Sequence, residues 1–163
     1  MAGSGPADLG SNPSGAIMQE TIHELSFFGS KTAMICLAAI FAATNHFAQA
    51  AQVILSLAVI YAIVFPIRMV IFKSRPKPMQ WNNLWEKFSA NSLISVHVAR
   101  ATSMAIILSL YFSNIALAII FFAIIPIVAI SRFLLGKHKK EDLFFGFLLG
   151  LLIATAITQL IKF

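Results

Sequence analysis

The chain has 163 residues, 59% of them hydrophobic and only 11% charged, a balance far outside soluble globular usage that places the protein in lipid. Its net charge of +6 implies an anionic partner; in such a chain that means lipid phosphate or the membrane surface before nucleic acid, which is not expected to bind. A lone cysteine, Cys36, excludes a disulfide framework and is expected to be a small buried hydrophobe.

Residues 1–16 are mostly Gly, Ser, Pro, Ala and Asn, which predicts a disordered tail and leaves 17–163 as a single transmembrane domain. No basic stretch precedes an apolar core there, so a cleaved signal peptide is not expected. Ile17 to Phe28 has apolar residues at roughly helical spacing, with Glu20 and Glu24 one turn apart, as a short interfacial helix would.

A spanning helix needs about 20 apolar residues, fewer where neighbours bury its ends. By that measure the chain is an all-α, polytopic bundle of about five spans. The first runs from about Thr32 to Thr44, extended by Phe27 and Phe28, and the second from about Val53 to Phe72, kinked by Pro66. Asn45, His46, Gln49 and Gln52 make the turn between them. Lys73 to Lys87 reads as a polar loop with Trp81 and Trp85 as interfacial anchors. The third span covers about His97 to Phe112, the fourth Ile115 to Ile130 after a hinge at Ser113-Asn114, and the fifth Leu143 to Ile161.

This order puts the Lys73–Ala90 loop, the start of the third span and the Ser131–Asp142 segment on one membrane face. Only Lys162, of 12 Lys and Arg, falls on the other. Three polar segments thus converge, as a composite site at one bilayer surface requires.

Those segments carry Arg68-x6-Arg75-Pro76, Ile94-Ser95-Val96-His97 and Ser131-Arg132-x5-His138-x3-Asp142. In order and spacing they resemble the signature of the type-2 phosphatidic acid phosphatases, the lipid phosphate phosphatases: K-x6-R-P, P-S-G-H and S-R-x5-H-x3-D. The third part is complete, the first has arginine for lysine, and the second lacks its proline and glycine. The resemblance implies that His138 is the nucleophile, forming a phosphohistidine that water hydrolyses, and that His97 protonates the leaving alcohol. Asp142, four residues after His138, is expected to hold one imidazole nitrogen across a helical turn.

Guanidinium groups match phosphate oxygens in a bidentate way, so Arg68, Arg75 and Arg132 are the expected phosphate ligands. The Ser95 hydroxyl and Val96 N–H would donate as the family's Ser-Gly pair does, although a β-branched residue excludes backbone conformations open to glycine. Arg100, one turn after His97, with Ser131 and Lys73, is expected to support these residues from behind. His23 and His46 match no motif and are expected at an interface and a turn.

No spacing reads as a metal site and no cofactor is implied, so the resemblance predicts metal-independent hydrolysis of a lipid phosphate or diphosphate, polyprenyl or phosphatidate-like. Two rivals stand beside this reading: a transferase that passes the phosphoryl group to another alcohol, and a silent membrane protein that binds anionic lipid. The basic bias places the site in the cytoplasm, whereas the resemblance implies an outer or lumenal face. The expectation adopted follows the resemblance, because a surface that binds anions recruits further lysines.

Overall fold

A computed structural model describes residues 13–162, and every structural statement below refers to these. All regular structure is helical, apart from one isolated bridge between Ser74 and Asn91. The first helix, α1 (Pro13–Leu25), leads through a 3-10 turn (Ser26–Gly29) into α2 (Lys31–Ala43). Then come α3 (Phe47–Val70), α4 (Leu84–Ala90), α5 (Val96–Phe112), α6 (Ile115–Leu134) and α7 (Lys140–Leu160). The interfacial helix thus begins at Pro13, ahead of the Ile17 expected. The proposed tail falls mainly on residues 1–12, outside the described part.

Three helices, α3, α6 and α7, are long and apolar enough to cross a bilayer. The N-terminal segment and α2 reach that length together, bent by 46° at the break before Lys31. Ser30 makes this corner by accepting from Ala33 N at 3.0 Å as the cap of α2. The fifth apolar helix, α5, has 17 residues, about 26 Å at 1.5 Å per residue. It tolerates this shortness because it is the central helix, packed against α3, α6, α7 and the 3-10 turn, with ten of its residues buried. The protein is an integral membrane protein whose outer faces present residues such as Val70, Ile115, Leu152 and Leu160 to lipid.

Small residues bring α7 against α5. A side chain at Gly146 would come within 2.5 Å of the Ser95 carbonyl oxygen, and one at Gly150 would collide with the carbonyl of Ala99. This Gly-x-x-x-Gly face lets the two backbones approach, which is how helices gain packing energy where lipid offers no hydrophobic drive. Ser103 Oγ crosses the seam to the Gly150 carbonyl at 3.2 Å.

Several expectations need correction. The turn after α2 is only Thr44 to His46, with Asn45 left-handed at φ 63°, and Gln49 and Gln52 lie inside α3. Both are buried, and Gln52 Nε2 donates to the Ile161 carbonyl at 2.6 Å at the end of α7. The loop after α3 is not wholly irregular: Asn83 accepts from Glu86 N at 2.8 Å and starts α4, whose Phe88 is buried. Trp81 and Trp85 are about half exposed, as interfacial anchors would be. Helix α6 runs four residues beyond Ile130, so Ser131 and Arg132 are helical and buried. Cys36 is exposed on the outward face of α2, where the surroundings are lipid and a hydrophobe need not be inside.

Candidate active site

The end of the bundle near Arg68, His97 and Arg132 holds a cavity of 290 Å³. Lys31, Arg68, Arg75, Arg100 and Arg132 line it together with His97 and His138, and no carboxylate does. Four chain segments supply these groups, because α2 and α5 begin and α3 and α6 end at the same level of the bundle. Five cations around so small a space repel one another, and an anion in it would be strongly attracted.

A pair of polar residues ties the segments together. Asn91 Nδ2 donates to the carbonyls of Arg68 (2.9 Å) and Ile71 (2.5 Å), and Ser92 N to that of Lys73 (2.8 Å). Both side chains are fully buried, so the chain before α5 is clamped to the chain after α3. The clamp aims the Ser92 carbonyl at His138, whose Nδ1 lies 3.0 Å from that oxygen. A carbonyl only accepts, so Nδ1 carries the proton and Nε2 keeps its lone pair, toward the cavity that His138 lines. Burial and the nearby Arg68, with smaller effects from Arg132 and Arg75, lower the His138 pKa to about 3. The ring is therefore neutral at any physiological pH in the free protein.

This arrangement overturns the expected role of Asp142 toward His138. His138 lies in the loop before α7, so helical i, i+4 geometry does not apply to it. Asp142 is the third residue of α7, where its carboxylate accepts from Lys139 N at 2.8 Å and from Lys73 Nζ at 2.6 Å. Lys73 thus meets a carboxylate rather than the cavity. The Asp142 carbonyl also accepts from Ser95 N at 2.9 Å, which links the third motif to the second.

His97 sits in the first turn of α5, its Nδ1 3.3 Å from Arg100 Nη2. A guanidinium only donates, so this nitrogen is the acceptor and the ring proton of the neutral imidazole lies on Nε2. Arg100 also donates to Tyr61 Oη at 3.1 Å and lies 5.8 Å from that ring's centre. Arg68 donates to the carbonyls of Phe88 (2.8 Å) and Ile94 and lies over the Phe88 ring at 4.6 Å. Arg75 and Arg132 line the cavity. The Nε of all four arginines is buried without a partner.

Val96 lines the cavity, but Ser95 does not: its hydroxyl is buried and unpartnered, and its carbonyl and Cβ pack against Gly146 of α7. Ser131 Oγ donates within its own helix to the Val128 carbonyl at 2.8 Å. Tyr61, Asn91, Ser92 and Lys31 escaped the reading of the sequence. A buried Asn-Ser pair just ahead of a Ser-x-His motif was the one legible signal.

A family model described as PAP2 superfamily matches residues 49–163, a stretch that contains all three polar segments. The fold is similar to the crystal structure of LpxE from Aquifex aeolicus, at 18% identity and a TM-score of 0.72, covering 91% of this chain and 87% of that one. It is also similar to that of the first transmembrane PAP2 type phosphatidylglycerolphosphate phosphatase from Bacillus subtilis, at 21% identity and a TM-score of 0.73, covering 91% and 77%. Among curated proteins none is significantly similar in sequence.

Proposed function

This chain belongs to the PAP2 superfamily, and on that premise we propose that it is a membrane lipid phosphatase working through a phosphohistidine, with residues 17–163 as its one catalytic domain. The observation that carries the reading is the neutral His138 ring, pinned at Nδ1 by Ser92, with Nε2 toward a cavity of five cations.

Substrate phosphate sits among Arg68, Arg75 and Arg132, which neutralise its oxygens and hold phosphorus before Nε2. The Nε2 lone pair forms a bond to the terminal phosphorus as its bond to the lipid-side oxygen breaks, and that oxygen, of an alcohol from a monophosphate or of a lipid monophosphate from a diphosphate, takes a proton from His97. Water then attacks the phosphohistidine and yields its proton to His97, the P–N bond breaks, and phosphate leaves with the ring restored. For His97 to act as an acid its Nδ1 must be released from Arg100. Phosphate oxygens accept from a guanidinium more strongly than an imidazole nitrogen does, so bound substrate draws Arg100 across and permits His97 to be protonated. Asp142 supports the site through Lys73 and through Ser95 N rather than through His138. No step requires a metal, since guanidinium groups supply the charge.

An isoprenoid diphosphate, or otherwise a polyprenyl phosphate or phosphatidate-like lipid, is the proposed substrate; five cations favour the more highly charged head group. The proposed face for the cavity is the outer or lumenal one, as the resemblance implies. In a Cys36→Ala background, Ser11→Cys that reacts with an impermeant reagent only after lysis would contradict that placement, because the span order puts the N-terminus on the same face as the cavity. Phosphate release by the detergent-purified protein, with chelator present and these three lipids supplied, tests the reaction. Release should persist with chelator and vanish in His138→Ala. No release from any of them, by folded protein, would leave a binder of anionic lipid in its place.

A further inference from the structure

A second cavity, of 540 Å³, adjoins the first. His97 and Arg132 line both cavities, whereas His138 lines only the first. The N-terminal segment lines the second with His23, Glu24, Ser26, Phe27, Phe28 and Ser30, the two phenylalanines being its large apolar groups, and Lys137 lines it as well. Gly29 sets this wall in place. A side chain there would meet the His97 carbonyl oxygen at 2.5 Å and Val128 Cγ1 at 2.9 Å, so only glycine lets the turn rest on the first turn of α5. Phe27 and Phe28 are 50% and 46% exposed, so the wall continues onto the lipid-facing surface.

Phosphoryl transfer places the attacking and leaving atoms roughly in line across phosphorus. With His138 attacking from the first cavity, the leaving oxygen lies on the far side of the phosphate, beside the histidine that protonates it. The lipid tail lies on that side, bonded directly to that oxygen in a monophosphate and beyond one further phosphate in a diphosphate. The rim of the first cavity is a poor path for that tail, because the aromatic faces there are covered by cations: Arg68 over Phe88, Arg100 near Tyr61 and Lys31 over Trp85. We propose that the second cavity is the leaving-group subsite, holding the first carbons of the substrate's tail against Phe27 and Phe28 while the phosphate occupies the first. The N-terminal segment is then the portal through which a lipid phosphate enters from the bilayer, and it selects for a flexible apolar chain next to the phosphate ester. Its volume is in the range of small-molecule sites, about 300–1,000 Å³.

This inference rests on the phosphatase reading, so two measurements separate the two. The first needs no turnover: full-length His138→Ala in lipid nanodiscs is irradiated with a polyprenyl monophosphate bearing a diazirine within its first isoprene unit, and labelled peptides are mapped. Labelling within residues 23–30, suppressed by unlabelled lipid phosphate, is expected. Suppressible labelling on the Tyr61–Phe88 rim, or only unsuppressed labelling over the lipid-facing helices, would overturn the subsite. The second compares Phe27→Trp with the parent protein, using the long-chain lipid and methyl phosphate, whose leaving methanol is too small to reach Phe27. A loss of roughly tenfold in kcat/KM for the lipid, with the soluble ester unchanged, is expected, since a pocket discriminates by about that much for a small steric change. Equal effects on both esters would overturn it. If the parent protein releases phosphate from neither ester, the phosphatase reading fails and the labelling alone decides what the cavity holds.

Discussion

Each end of the helix bundle holds a histidine against a tyrosine or a carbonyl, and the two ends behave differently. At the end away from the cavity, His46 closes the turn before α3, its Nε2 2.9 Å from Tyr111 Oη, with the rings of Phe41 and Tyr111 packed about it. One neutral partner and two aromatic rings give a structural knot. At the other end His138 also has one neutral partner, the Ser92 carbonyl, but four arginines surround the same space. The difference lies in charge rather than polarity. The His46 end is balanced within the protein, whereas the His138 end stays unbalanced until an anion arrives.

Breaking each end in turn should separate these roles. His97→Gln removes the proposed acid and should cut lipid phosphate hydrolysis by roughly 10²–10⁴, the usual worth of general acid catalysis, with thermal stability nearly unchanged. His46→Gln should do the reverse, leaving turnover within about twofold while costing about 1 kcal/mol of stability for the lost hydrogen bond. If both variants lost activity alike, the contrast between the ends would be wrong.

The seam that holds α5 against α7 supports the cavity without touching it. Gly150→Val forces a branched side chain onto the Ala99 carbonyl and should cost at least about 1–3 kcal/mol, visible as a lower melting temperature and a smaller folded fraction in detergent. Leu151→Val, one position along, should change neither, since Leu151 is only partly buried.

Acid should weaken the His138 end more than the other. An unfolded histidine binds a proton near pH 6.5, but His138 in the fold does so only near 3. Between those values the unfolded chain holds more protons, so stability falls as pH drops from about 6.5 and is unaffected above it. Thermal unfolding at pH 7.5 and 4.5 should therefore show a steeper loss in the parent than in His138→Gln, and equal slopes would contradict the burial argument. The smallest effect expected is at Val96, whose side chain lines the cavity in place of the family's glycine. Val96→Gly should raise kcat by up to about tenfold, or about 1.4 kcal/mol, and a fall would mean that valine shapes the site productively.

Much of the helical frame was legible. Uncharged runs after Arg100, Ile115 and Leu143 marked α5, α6 and α7 to within a few residues, because lipid requires continuous apolar length. Boundaries failed where a polar side chain finds a partner from elsewhere in the fold, as Gln52 does at Ile161. In the cavity, the spacing of Arg68, Arg75, Arg132, His97 and His138 foretold which residues meet, but not what each one faces. Asp142 was expected on His138 and instead caps α7 while holding Lys73; Ser95 was expected at the phosphate and instead packs against Gly146. The first error arose from reading local spacing as local contact, the second from carrying a role over with a motif that has lost its proline and glycine.

By itself the sequence determined that the chain lives in lipid, that its basic residues gather at one end, and which histidines and arginines share that end. Span length and motif order suffice for this, since they depend on the solvent and on chain connectivity. Only the tertiary structure decided which nitrogen of each histidine is free and how the N-terminal segment walls a second cavity. Those depend on directional hydrogen bonds and close approaches between distant segments, such as Ser92 to His138 across 46 residues and Gly29 against His97, and no local pattern encodes them.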